Sequence, residues 1–210
     1  MHNLTNIAML LDYVATVGLG IFCYLADALM DVSFIRQNTI LRAITDNAAH
    51  GIIAAWSWAI AIGLSINWKT ASEIFLCFIC SSGLDVDHFI AARSIKLKDA
   101  LALNRRPFLH ATSLILFLFF VTVIVVRYMP LSVYHKMKYL PYIFLAASLS
   151  HHFRDGYRRG LWFAPFGSCR PLPYTLYVSL TMVLPWILIY LMWITESERK
   201  IKKSKILLNV

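Results

Sequence analysis

Acidic and histidine side chains recur along this chain at one-turn spacing. Asp46 and His50 are four residues apart, as are His151 and Asp155, and Asp85 and His88 are three apart. Residues three or four apart lie one above the other on a helix face. Imidazoles and carboxylates placed in this way on facing helices are how helical bundles build metal sites. Such a donor set suits zinc, iron or manganese better than the hard alkaline earths. A carboxylate in it can also stand behind a ligand and orient a histidine. Arginines accompany the same positions: Arg105, Arg106, Arg154, Arg158 and Arg159, with Arg154 and Arg158 one turn apart. Guanidinium forks capture phosphate or carboxylate with two parallel bonds. They serve equally to balance buried acids or to contact headgroups.

Helices must bring these groups together, and the composition places those helices in a membrane. The 210-residue chain is 59% hydrophobic and 15% charged, with a mean hydropathy of +0.64. Soluble domains run nearer half apolar and a quarter charged, and a chain this short has too little interior to hide the excess. Apolar stretches run over 7–30, 48–66, 71–88, 108–128, 139–152 and 174–194. The expected fold is an all-α polytopic membrane bundle of about six transmembrane helices over 1–194. A basic polar tail follows over 195–210, and no separate soluble domain is expected. The first stretch carries Asp12 and lacks a basic leader, so it reads as a retained helix rather than a signal peptide. Cations at span ends and on a tail facing anionic lipid account for the net charge of +9 better than nucleic-acid binding does. Cys77-x-x-Cys80 reads as two small apolar residues one turn apart rather than a redox or zinc pair.

Two spans are short. Ala71 to Leu84 is 14 residues and Tyr139 to Ser150 is 12, enough for only about 18–21 Å of helix. Each can complete a crossing only if the polar residues that follow sit at membrane depth, where ionisable groups are costly and signal function. Alternation across six spans then sorts the chain ends and loops onto two sides. Asp27, Asp46, His50, Asp85, Asp87, His88, His110, His151, His152 and Asp155 all fall on one side, with five of the seven histidines among them. Asp27 taken alone needs no more than an arginine partner such as Arg36.

Three stretches carry resemblances. Leu84-Asp85-Val86-Asp87-His88, Arg106-Pro107-Phe108-Leu109-His110 and Ser150-His151-x-x-x-Asp155 resemble motifs of the bacterial LexA-regulated, inner-membrane metal-dependent hydrolases. His50 matches an earlier histidine of that pattern. Over nearly the whole chain the sequence is more similar to the eukaryotic transmembrane protein 267 family. Arg42 to His50, Arg105 to His110, Ser150 to Gly156, Gly160-Leu161-Trp162 and Pro165-Phe166-Gly167 carry that similarity, which implies a multi-pass membrane protein. The bacterial resemblance implies metal-dependent hydrolysis. Arg105 stands where those hydrolases have a histidine, and arginine does not ligate metal because it stays protonated. The implied centre therefore holds one metal rather than two.

These observations leave two main readings. In the first, a divalent transition metal such as zinc is held by His50, Asp87, His88, His110 and His151. Asp85 or Asp155 orients a ligand or acts as general base. Arg105, Arg106, Arg154 and Arg158 hold the anionic headgroup of a lipid or amphiphilic phosphoester. In the second, a non-catalytic membrane protein keeps the cluster as a structural, lipid-binding or partner-binding site. A transporter fits less well, because the cluster sits at one face and no symmetric halves appear. Basic residues number nine on the side of the termini and eleven on the side of the cluster. The tail cations have no acidic partners nearby, so anionic cytoplasmic lipid is expected to hold that end inside. A C-terminal epitope tag should accordingly stay unreactive in intact cells and react after permeabilisation; labelling of intact cells would reverse the orientation.

Overall fold

The computed structural model describes residues 2–64 and 67–208, without the side chains of 2–6, 8 and 198–208. The side chains of the tail cations from Arg199 to Lys205 and of Asn3 are not among those described. The chain is an all-α membrane helix bundle. Its long helices are α1 (His2–Asp31), α3 (Thr39–Ala61), α4 (Trp68–Gly83), α7 (Thr112–Tyr128), α9 (Leu140–Arg159) and α10 (Tyr174–Leu208). Short helices fill the connections: α2 (Ser33–Gln37), α5 (Val86–Ala92), α6 (Leu97–Leu101) and α8 (Leu131–Met137), with a 3-10 turn over Phe108–His110. Three segments, Met9–Asp31, Trp68–Ala92 and Tyr174–Ser197, are long and apolar enough to cross a membrane, and α7 is a shorter apolar helix.

The long helices follow the six apolar stretches, with shifted ends. Helix α3 begins at Thr39 because the Asn38 side chain accepts from the Leu41 amide. The helix thus starts nine residues before the apolar stretch over 48–66 and contains both Asp46 and His50, as their spacing implied. Helix α4 starts on a capping box in which Asn67 and Thr70 satisfy each other's amides. Helix α9 has proline in its first turn and continues nine residues past Ser150, through His151, Arg154 and Asp155, to Arg159. Two short strands, β1 (Trp162–Phe163) and β2 (Gly167–Ser168), form a small antiparallel hairpin that composition did not anticipate.

Helix α9 is the central post, packed against α3, α4, α7 and α10. Its apolar half (Tyr142, Ile143, Leu145, Ala146, Ala147) meets Trp58, Cys77, Ile115, Phe119, Leu184 and Leu188 in the main core. Cys77 and Cys80 are free; the Cys77 thiol lies 3.3 Å from the Ala54 carbonyl in the α3–α4 contact. Gly51 makes that contact close, since a Cβ there would stand 2.5 Å from Ser82 Oγ and 2.6 Å from the Phe78 ring. Small residues at helix crossings are the means by which membrane helices approach each other.

The third apolar stretch is interrupted after Gly83. Bonds from Leu84 N to Ser81 O, Asp87 N to Leu84 O and His88 N to Asp85 O have the tighter i to i+3 pattern. Residues two apart face opposite ways on an α-helix. This tight segment lets Asp85 and Asp87 turn towards the same neighbour.

Gly160 ends α9 with φ 75° and ψ 166°, a conformation open essentially only to glycine. A Cβ there would lie 2.0 Å from the Cys169 carbonyl oxygen. Gly160→Ala is expected to cost about 2 kcal/mol or more, seen as a lowered thermal midpoint in detergent. An unchanged midpoint would mean that the hairpin relaxes freely.

Candidate functional site

The polar half of α9 meets the tight segment after α4 and the 3-10 turn before α7. His151, Arg154, Asp155 and Arg158 repeat at three- and four-residue spacing, so one stripe of α9 carries them all. The structure brings His50, Asp85, Asp87, His88, His110, His151 and Asp155 together. His110 Nε2 lies 3.3 Å from His151 Nε2 and 3.4 Å from Asp85 Oδ1, and His151 Nε2 lies 3.5 Å from the same Asp85 oxygen. Asp155 Oδ2 is 3.6 Å from His110 Nε2 and 3.8 Å from His151 Nε2, while its Oδ1 is 3.5 Å from His50 Nε2. The His50 and His151 rings stack at 3.8 Å.

The opposite ring nitrogens fix the tautomers. His151 Nδ1 is 3.0 Å from the Ser81 carbonyl oxygen, which only accepts, so Nδ1 carries a proton and, in the neutral ring, Nε2 holds the lone pair. His110 Nδ1 faces Asp87 Oδ2 at 3.2 Å, and that oxygen also accepts from the Leu109 amide at 2.9 Å. The ionised carboxylate assigns the His110 proton in the same way. His110 Nε2, His151 Nε2 and one Asp85 oxygen therefore converge, an arrangement that either a bound cation or a second proton on His110 satisfies. Asp87 is fully buried behind His110, and its Oδ1 stands 3.2 Å from His88 Nδ1. Asp85 and Asp155 are about one-third exposed, at 32% and 28%, and form the open side of the cluster. His152 is saturated elsewhere, bonding the Leu109 carbonyl through Nε2 and Thr112 Oγ1 through Nδ1.

Relatives of this chain can now be set beside that geometry. A protein of Bos taurus named transmembrane protein 267 is 41% identical over 209 residues, covering 97% of this chain and 93% of its own length. Its namesakes in Mus musculus and Xenopus laevis are each 40% identical, covering 91% and 88% of this chain and 87% and 85% of their own lengths. The chain belongs to the transmembrane protein 267 family. It is an integral, multi-pass membrane protein, as the apolar helices and the family name agree. No family model and no solved structure matches the chain.

The arginines of this transmembrane protein 267 family member divide into two kinds. Arg154 is fully buried; it bonds Asp27 at 3.0 Å and pairs closely with Asp46. The partner of Asp27 is therefore Arg154 rather than Arg36. Arg158 grips Asp46 through both nitrogens, at 2.7 and 2.9 Å. Asp46 precedes the apolar stretch of its helix. Burial opposes its ionisation, but the Arg158 hydrogen bonds and the Arg154 charge outweigh it and hold the carboxyl well below the usual carboxylate range. Arg106 donates to the Gly160 carbonyl at 2.7 Å and to the Arg159 carbonyl, closing the end of α9. Arg105 is exposed at the rim.

Sequence reasoning missed Asn47, Ser81 and the Leu109 amide. Asn47 Nδ2 donates to the Ser82 carbonyl at 2.8 Å and to Asp85 Oδ2 at 3.3 Å, anchoring the carboxylate. Its place between Asp46 and His50 was the available signal; Ser81 and Leu109 act through backbone atoms, which a side-chain motif does not mark.

A groove of about 640 Å³ opens on the cluster. Ile40, Ile44, Phe78, Phe89 and Leu101 line one part of it, and Asp46, His50, Asp85, His88, Asp155 and Arg158 the other.

Removing Arg154 would strand Asp27 and Asp46 without their shared counter-charge. Arg154→Met is expected to cost about 3–5 kcal/mol, read as loss of folded protein in detergent. Because the Asp46 carboxyl is depressed, its contribution is complete above the ordinary carboxylate range and is lost as pH falls below about 4. Stability measured between pH 7 and 3 should decline at the acid end, and Asp46→Asn should flatten that decline.

Proposed function

We propose that this cluster holds a single divalent transition metal, and that the protein hydrolyses a lipid or other amphiphilic phosphoester at it. The observation that carries the reading is the triangle of His110 Nε2, His151 Nε2 and Asp85 Oδ1, with edges of 3.3, 3.4 and 3.5 Å. Tetrahedral ligands at about 2.0–2.1 Å from an ion stand about 3.3–3.4 Å apart. A divalent cation at the centre of these three atoms would satisfy all of them at once. Three protein ligands with an open fourth position are the usual form of a catalytic zinc site.

In this reading His110, His151 and Asp85 are the ligands. Asp87 and the Ser81 carbonyl stand behind the two histidines and keep their protons on Nδ1, as outer partners of metal-bound imidazoles do. His88 supports Asp87, and His50 supports Asp155. A bound divalent metal supplies a water of lowered pKa and polarises a phosphoryl oxygen. Asp155, at the open side within reach of the same centre, accepts the proton from that water as general base. Asn47 keeps the Asp85 carboxylate in place. The mixed lining of the groove supports an amphiphile: an apolar chain against Ile40, Ile44, Phe78 and Phe89, and a polar end at the carboxylates. Small-molecule sites are commonly lined this way, apolar with a few convergent polar groups.

Metal analysis of purified protein in detergent tests the reading. About one equivalent of zinc, manganese or iron is expected, and His110→Ala and His151→Ala should lose it. Asp155→Asn should keep the metal and lose roughly 10²–10⁴-fold in hydrolysis of a long-chain phosphoester. Well-folded protein that takes up no metal would mean that a shared proton satisfies the three atoms and that the cluster is structural.

A further inference from the structure

Arg159 takes no part in the cluster's internal pairing. Among the described residues no acidic side chain lies within ion-pair distance of it, and its carbonyl, not its guanidinium, is used by Arg106. Arg154 and Arg158, in contrast, are taken up by Asp27 and Asp46. Together with His88, Arg159 lines each of three cavities around the cluster. One is the large apolar groove, another a small space beside His110 and His152, and the third a pocket of about 180 Å³ with Arg105 and Arg106. It is the exposed last residue of α9, four positions beyond Asp155 and therefore on the same face.

The charge balance gives that position a use. Asp85, Asp87 and Asp155 would repel an anion approaching through the groove. A cation with no acidic partner among the described residues, lining the same groove, offsets the local field and offers a fork to phosphate oxygens.

We propose that Arg159, assisted by Arg105 at the rim, binds the phosphate of an amphiphilic phosphoester. The apolar chain of that molecule lies in the Ile40/Ile44/Phe78/Phe89 groove, and its phosphate is turned towards Asp85 and Asp155. This inference rests on the reading of the site given above and names the group that selects its substrate. The fork belongs to a substrate-binding residue rather than to the hydrolytic centre, so its loss weakens binding without removing metal.

Dodecyl phosphate binding to the full-length protein in a non-ionic maltoside detergent tests this, with zinc-loaded and chelator-treated samples run side by side. Arg159→Gln is expected to weaken binding about tenfold, the scale of one charge-assisted pair. Arg159→Lys should recover part of the loss. Zinc content should be unchanged in both variants. Dodecanol should show no dependence on residue 159, and inorganic phosphate should bind far more weakly than dodecyl phosphate. Arg159→Gln binding dodecyl phosphate as tightly as wild type would overturn the proposal, as would equal binding of inorganic phosphate or no binding by wild type. If zinc does not bind at all but the Arg159→Gln loss persists in chelated protein, the metal reading fails while this one stands.

Discussion

The buried guanidinium of Arg154 is the interaction on which the arrangement depends. Arginine stays charged at any physiological pH, so a fully buried arginine must find its counter-charges inside the protein. Asp27 of α1 and Asp46 of α3 supply them. Three helices distant in sequence are thereby locked around one group, and the rotation of α9 is fixed. That rotation carries His151 and Asp155, one turn either side or next in line on the same stripe, towards α3 and the tight segment after α4. A pair of acids around one arginine contributes little net stability compared with an apolar replacement. Its effect is on geometry, because any other helix rotation leaves a bare charge in the bundle.

With the helices fixed, hydrogen bonds behind the imidazoles decide what the cluster presents. The Ser81 carbonyl and the Asp87 carboxylate each accept from an Nδ1–H, which directs Nε2 of His151 and of His110 inward. The interruption after Gly83 makes this possible by letting Asp85 and Asp87 approach opposite nitrogens of the same His110 ring. A continuous α-helix would have sent one of the two carboxylates away. The same break leaves Asp85 partly exposed while Asp87 is sealed, so two acids of identical chemistry hold different positions relative to the groove.

The groove joins the membrane character of the protein to its polar centre. Apolar side chains from α3, α4, α5 and α6 line it together with residues of the cluster. In the proposed reading, an amphiphile from the bilayer would meet both kinds of lining in this one groove.

Much of this was legible in the sequence. Hydropathy marked the six long helices, since a chain this apolar has few other ways to satisfy its backbone in lipid. The two spans that ran short before charge began marked where polar residues had to lie at depth, and Asp85 to His88 and His151 to Asp155 are found there. One-turn spacing put His151, Arg154, Asp155 and Arg158 on one stripe of α9. What the sequence left open was which polar group meets which. Spacing along a helix gives a face, but the partner on another helix is set by rotation and depth, and these follow from packing at contacts such as Gly51 against Phe78. Hence Arg154 and Arg158 turned out to be held by Asp27 and Asp46, and Arg106 by the backbone at the end of α9. Tertiary structure alone likewise separated Asp85 from Asp87, because a two-residue change in helix pitch has no strong signature in residue types, and backbone acceptors such as the Ser81 carbonyl have none at all.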